Sequence, residues 1–311
     1  MHSRQLDYDC STFLAGISPA LRQADIAIAN MEFSLGGPPY SGYPAFSAPD
    51  EYASYISEDC GVDVLLTANN HILDKGRRGL TRTLNVYDTL GVKHTGAATD
   101  SMALAKTYPL MLNVHGIRIA ILNFTYGTNN PIGSSSGWPA VNLMHEDEVL
   151  RAIRRAKELE ADFMIALPHW GTEYELRHDK KQEEWAVRLI SEGVNAIVGT
   201  HPHVVQDTTY IKGAPVIYST GNAISNMSAR NTRLGLAVKI KFIHDTASGV
   251  KKMLKPELKF TWCTLPETLT EGYKTIFCDE WTGSREEWIT PSDHDNMIAT
   301  LERVKKATGI E

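Results

Sequence analysis

No run in this chain approaches the ~18 consecutive apolar residues that a membrane span requires, and the first residues, MHSRQLDYDC, contain no hydrophobic signal region. As given, the chain reads as soluble and unexported. It has no CxxC pair. Cys10, Cys60, Cys263 and Cys278 are scattered, which argues against a thiolate zinc site and predicts four free thiols. There is no Lys- or Arg-rich run, and 31 basic against 37 acidic residues leave a formal charge of −6. That balance argues against a nucleic-acid partner, and an anionic substrate would need a local positive centre. Internal repeats and low-complexity tracts are absent as well, so solenoid and linker architectures are excluded.

What remains is an ordinary globular composition, 42% hydrophobic and 22% charged over 311 residues, enough for a large core in one or two domains. Short apolar runs alternate with helical patterns through the first two thirds. A helix is expected from Ser18-Pro19 to about Gln23, with Ser18 as its N-cap. A strand over 25–30 is followed by a helix over 49–59, a strand over 62–68, and a helix whose Leu80, Leu84, Tyr87 and Leu90 share one face and which stops at Gly91. YPLMLNV and IRIAILNFT flank His115-Gly116 and predict a hairpin, so the sheet is mixed. Residues 127–142 are rich in Gly, Ser, Asn and Pro and read as a long loop, either a plain connection or a substrate lid. Helices at 145–161 and 179–193 alternate with strands at 162–168, 195–199 and 215–222, and a strand follows at 234–242. Beyond about 245 a strand near 257–264 and a helix near 293–307 are expected. The fold class is α/β, with a mixed sheet or two packed sheets.

Polar residues of unusual type follow four of these strands. Asn30, Met31 and Glu32 end the first; Asn69, Asn70 and His71, with Asp74 beyond, end the second. His169, with Glu173 a little later, follows the strand at 162–168, and His201-Pro202-His203 follows the strand at 195–199. Ligands in open α/β sheets bind at the carboxyl ends of strands. Two histidines at i and i+2 on extended backbone point the same way, and Pro202 limits their motion. His115, in a hairpin turn, reads as a surface residue. A carboxylate, an amide and four imidazoles without a thiolate suit Zn, Mn or Fe, and this many ligands can hold two divalent ions. An amidohydrolase barrel also uses an HxH pair, but carries it at its first strand, so it fits less well.

Five segments in order, NMEFSLGGP, TANNHILDKGRRGLTRTLNVYDTLGVKHTGA, PHWGTEY, VGTHPHVVQ and VIYSTGN, resemble the CapA family of capsule and poly-γ-glutamate synthesis proteins over about residues 1–230. The resemblance implies a branch of the calcineurin-like metallophosphoesterases: two packed mixed sheets flanked by helices, four αββα layers, with a dinuclear centre at the strand ends. It implies that Glu32, Asn70, His169, His201 and His203 are metal ligands. His71 would be the acid at the leaving group, oriented by Asp74, and a metal-bound hydroxide would be the nucleophile. Tyr218, Gly221 and Asn222 would be structural or site-lining. The family opens on a strand ending in Gly-Asp, whose Asp is a ligand. Met1-His2-Ser3 resembles the inside of that motif, so the first strand is expected to be missing and His2 to be its remnant. Membrane association is expected only through such a missing segment. The expected organisation is a metallophosphoesterase-like domain over 1–244 and an extension over 245–311 that completes or covers the sheet. The expected activity is metal-dependent hydrolysis of an anionic small molecule or polymer. The alternative is metal-dependent binding of a polyanion during capsule or polyglutamate assembly, without turnover.

Overall fold

The computed structural model describes residues 10–131 and 138–311. His2 and the centre of the Gly/Ser-rich stretch, 132–137, lie outside the described residues.

Three short parallel strands, β1 (Ile28–Asn30), β2 (Val64–Leu66) and β3 (Lys93–Thr95), form a first sheet. Helices α1 (Ser18–Arg22), α2 (Asp50–Ser54) and α3 (Gly76–Leu90) connect or flank them. α3 buries Leu80, Leu84 and Tyr87 and ends at Gly91 in the left-handed region (φ 67°), as its spacing predicts. α1 is capped by Ile17 rather than Ser18, whose hydroxyl lies within 3.5 Å of the carbonyls of Asp59 and Cys60. The helix expected over 49–59 holds its α form only through Ser54 and finishes as a π-turn over Tyr55–Asp59.

β4 (Ala97–Ala98) leads into α4 (Ser101–Thr107) and then the hairpin of β5 (Leu110–Val114) and β6 (Ile117–Thr125). Positive φ at both His115 (49°) and Gly116 (79°) makes this the turn type that matches strand twist. His115 is exposed and pairs with Asp25 at 2.9 Å. β7 (Ala140–Val141) pairs antiparallel with β4, so the end of the expected 127–142 loop is strand.

α5 (Glu146–Glu158), β8 (Phe163–His169), α6 (Lys180–Ser191), β9 (Ala196–Val198), β10 (Thr208–Ile211) and β11 (Ala214–Ile217) complete a mixed six-stranded sheet in the order β10-β11-β9-β8-β6-β5. Its strands are apolar on both faces. Ala120, Leu122, Phe124, Met164 and Ala166 pack outward on α5 and α6, while Ile119, Ile121, Ile165 and Leu167 face Val64 and Leu66 of the first sheet. A strand buried on both sides needs such a continuous apolar run, and the period of two shares it between two cores.

β12 (Leu234–Lys239) pairs antiparallel with β15 (Glu257–Thr264), which pairs with β16 (Lys274–Phe277); between them lies the hairpin β13 (Phe242–Asp245) and β14 (Val250–Met253). After the short α7 (Cys278–Trp281), helix α8 (Pro291–Thr308) covers this sheet through Met297 and Val304. Helices lie outside two facing sheets, the four-layer αββα arrangement. All four cysteines are buried and none is in a disulfide. Among the described residues no helix is long and apolar enough to cross a membrane.

Candidate metal centre

β1, β2, β8 and β9 run parallel within their sheets, so the segments leaving them emerge together. Asn123 holds the two sheets in register beneath these segments. Its buried side chain accepts from the backbone N–H of Ala68 at 2.9 Å and donates to the carbonyl of Leu167 at 2.8 Å, one residue before Asn69 and two before His169. Gly96 lets this happen, because a Cβ there would lie 2.1 Å from Asn123 Oδ1.

Asn69 locks the first two segments together. Its amide donates to the carbonyl of Met31 at 2.8 Å, and its oxygen accepts from the backbone of His71 at 3.2 Å. Asn70 turns the other way, with Oδ1 2.8 Å from His169 Nε2. Ligand atoms of Glu32, His169 and His201 lie within 4.8 Å of one another. His203 Nε2 lies 3.7 Å from Glu32 Oε1 and 4.0 Å from Glu173 Oε1. The five residues expected as ligands thus lie together, His169 fully buried behind the others, and Glu173 lies beside them.

The ring nitrogens are oriented from behind. His169 Nδ1 meets the Thr200 hydroxyl at 3.0 Å, and His203 Nδ1 meets Asn222 Oδ1 at 3.0 Å, so both Nε2 atoms face inward. The backbone at His201 and His203 is not extended, as the i, i+2 spacing suggested. Both have positive φ, 103° and 60°, and this strained turn aims the rings. Gly199 precedes it because a Cβ would stand 2.2 Å from the Tyr218 carbonyl and 2.3 Å from Trp170 Nε1. The Tyr218 ring stacks on His178 at 3.8 Å, and Asp207 takes hydrogen bonds from the His178 backbone and ring, both at 3.0 Å. That anchor fixes the loop bearing Glu173.

Beside the cluster, His71 Nδ1 lies 2.7 Å from Asp74 Oδ2, which also accepts from the Phe46 backbone at 2.8 Å. The His71 ring meets the Phe46 ring edge-on at 4.7 Å. Asn129, from the stretch read as a loop, brings its amide nitrogen within 3.3 Å of His71 Nδ1 and its oxygen 3.3 Å from Asn70 Nδ2. Residue type alone did not single it out, since asparagine is common in loops. Asn123 did carry a signal: one amide inside the apolar run IAILNFT.

The electrostatics suit a cation. Burial, then the charges of Glu173 and Asp74, push the Glu32 carboxyl up to about 8. Burial and the neighbouring histidines hold His169 well below its usual value and His201 at about 3, so both imidazoles are neutral. Glu32 Oε1 and His201 Nδ1 are buried with no hydrogen-bond partner. An orphaned carboxylate oxygen among neutral imidazoles, with no thiolate, matches the donor set of a borderline divalent ion.

The family model for "Bacterial capsule synthesis protein PGA_cap" matches residues 1–227. The chain belongs to this family. It is 28% identical over 226 residues to the capsule biosynthesis protein CapA of Bacillus anthracis, covering 70% of this chain and 54% of that one. It is 30% identical over 178 residues to the PGA biosynthesis protein CapA of Bacillus subtilis, covering 57% and 46%. The chain spans about half the length of these relatives. Among solved structures it is similar to a Staphylococcus aureus protein assigned as a 5′-nucleotidase, with TM-score 0.51, 15% identity, and coverage of 80% of this chain and 48% of that one. That likeness concerns the fold alone.

Proposed function

We propose that this CapA-family protein is a metal-dependent hydrolase of the phosphoester type acting on an anionic substrate. The observation that carries the reading is the orphaned Glu32 oxygen facing His169, His201 and His203, with the His71–Asp74 pair beside it.

Glu32, Asn70, His169, His201 and His203 would hold two divalent ions, of Zn, Mn or Fe. When bound, such ions supply positive charge for the phosphoryl oxygens and make water acidic enough to attack near neutral pH. Asp74 accepts the Nδ1 proton of His71 and so fixes the ring with Nε2 toward the pocket. In the reaction a water oxygen gives up one proton to solvent as it bonds to phosphorus, the bond to the leaving oxygen breaks, and that oxygen takes the Nε2 proton of His71, which regains one from solvent. Asp74 stabilises the imidazolium that gives it. Phe46, edge-on against the ring at 4.7 Å, limits its motion.

A second reading, a polyanion-binding assembly factor without turnover, is favoured by the names of the Bacillus relatives. One experiment separates them. Metal is measured in the wild type and in the His201→Ala/His203→Ala double variant, and the loaded wild type and His71→Ala are then assayed on a generic phosphoester. Hydrolysis predicts metal that disappears in the double variant, and turnover that is lost in His71→Ala while metal stays. Full metal with no turnover, and no effect of His71→Ala on polymer binding, would support the assembly factor instead.

A further inference from the structure

We propose, resting on the hydrolase reading above, that the substrate is a small ester with one anionic centre and an uncharged planar ring in its leaving group, and not an extended polyanion.

Three tyrosines with exposed side chains surround the ligand cluster. Tyr43, Tyr126 and Tyr174 are 83%, 51% and 43% exposed, and all three line the cavity that contains Glu32, His71 and His201. Large aromatic residues grouped on the surface mark a binding site more often than they serve stability. Two of these rings are built into the site. Tyr126 stands 4.6 Å from the His201 ring, and its backbone N–H donates to the carbonyl of His169 at 3.0 Å. Tyr174 lies 6.1 Å from the His203 ring, nearly parallel at 28°, and its N–H donates to the carbonyl of Pro202 at 2.8 Å. Tyr174 holds this place at positive φ (68°), a conformation that costs a bulky residue. Each ring therefore rests on a ligand loop and keeps about half its surface free.

The charges around the rings argue in the same direction. Of the ionisable groups beside the rings, Glu32 and Glu173 are carboxyls that line this end of the cavity, and the Asp74 carboxylate is taken up by His71. No arginine lines the cavity among the described residues, and its two lysines are Lys239 and Lys259. Lys239 lies four residues along β12 from Gly235, which bridges to Gly221 beside the site; at ~3.3 Å per residue that is about 13 Å away. Lys259 is paired with Asp279 at 3.4 Å. Metal ions can neutralise one anionic group at the centre. The next charges of a polymer with a carboxylate on every repeat would meet Glu173 and the tyrosines with no cation to pair with. An uncharged ring meets two aromatic faces instead, and stacking on such faces is worth roughly 5- to 150-fold in affinity.

The test uses the full chain loaded with metal, in the His71→Ala variant so that ligands are not consumed, and equilibrium dialysis as readout. The probes are a nucleoside monophosphate, phenyl phosphate, glycerol phosphate and poly-γ-glutamate. The two ring-bearing esters are expected to bind at least about 10-fold more tightly than glycerol phosphate. Tyr126→Ala and Tyr174→Ala should each remove most of that margin with metal content unchanged, and Tyr126→Phe and Tyr174→Phe should restore it. Tighter binding of the nucleotide than of phenyl phosphate assigns the ring to a nucleobase; the reverse order assigns it to an aryl group. Equal binding of glycerol phosphate, binding of no ester, or poly-γ-glutamate affinity that rises with length and ignores both tyrosines would each overturn the proposal. Ring-dependent binding with no turnover in the wild type sinks the hydrolase reading and leaves the ligand class standing. Wild-type turnover of glycerol phosphate as fast as of the ring esters does the opposite.

Discussion

Replacing Glu32 with glutamine should stabilise the metal-free protein and destabilise the metal-loaded one. Glu32 Oε1 is buried without a hydrogen-bond partner, and its carboxyl is pushed from 4.5 to about 8 by burial and by the charges of Glu173 and Asp74. Between those values the native state keeps a proton that the unfolded chain releases. The stability linked to that proton is complete below about 4.5 and is lost as pH rises through 8. At pH 7 an isolated group shifted this far costs folding about 3 kcal/mol, at 1.36 kcal/mol per unit. The side chain keeps 21% of its surface in water, which screens the charge, so a loss of about 1–2 kcal/mol is expected. Glutamine keeps the shape and carries no charge. Chelated Glu32→Gln should therefore melt about 1.5–3 °C above the chelated wild type at pH 8, and the gap should shrink toward pH 4.5. Saturating metal at 100 times its Kd should add about 2.7 kcal/mol to the wild type and reverse the order. Thermal melts at several pH values, with chelator and with Zn or Mn, check both arms. A chelated wild type that is more stable than Glu32→Gln at pH 8 would refute the reasoning. It would mean that His169 at 3.6 Å and the Asn30 amide at 3.3 Å already compensate the carboxylate.

Three further outcomes follow from the same geometry. In the chelated Glu32→Gln background, stability should fall as pH drops below 6.5, by up to about 1.4 kcal/mol per unit for each of His169 and His201. Both stay neutral in the native state while the unfolded chain takes up protons, and for His201 the loss continues to about pH 3; denaturant titrations between pH 7 and 5 measure it. Asn222→Ala removes the partner of His203 Nδ1 and should weaken metal binding about 10- to 100-fold, read by competition with a chromogenic chelator; it also removes the donor to the Thr232 carbonyl at 2.9 Å, so the melt should fall as well. Gly199→Ala places a methyl group against the Tyr218 carbonyl and Trp170 Nε1, and should cost about 1–3 kcal/mol or more in a urea titration and lower metal content as well.

Much of the architecture was legible because its signals are local. Leu80, Leu84 and Tyr87 sit at helical spacing and Gly91 ends the helix; the strand expected near 257–264 forms over Glu257–Thr264. The failures are places where tertiary contacts override local preference. Ser18 looks like a cap, but Pro19 is favourable at either of the first two helical positions, and packing against Asp59 and Cys60 moved the start to Ile17. Residues 127–142 look like coil, yet β7 finds β4, and Asn129 finds His71 and Asn70. Neither partner is close in sequence, so no window could reveal them. The HxH pair was read on extended backbone, whereas positive φ at His201 and His203 is what aims the rings. Dihedrals of that kind leave no mark on composition, except indirectly in Gly199, whose missing Cβ makes room for the turn.

Asn123 shows how the fold holds the strand-end segments in place. A buried amide inside an apolar strand is costly unless every hydrogen bond is met. Here the oxygen takes the Ala68 N–H and the nitrogen gives to Leu167, on opposite sheets, and each partner lies within two residues of a site residue. Twisting sheets packed only through Leu, Ile and Val could slide by a fraction of a residue at small cost, since apolar contact has little direction. The amide removes that freedom where Asn70 must meet His169 at 2.8 Å. Asn123→Leu fills the same space but leaves the Ala68 N–H and the Leu167 carbonyl buried and unpaired, at about 1–3 kcal/mol each. It should therefore lower both stability in a urea titration and metal affinity, whereas lost stability with unchanged metal affinity would mean that the amide serves only the fold.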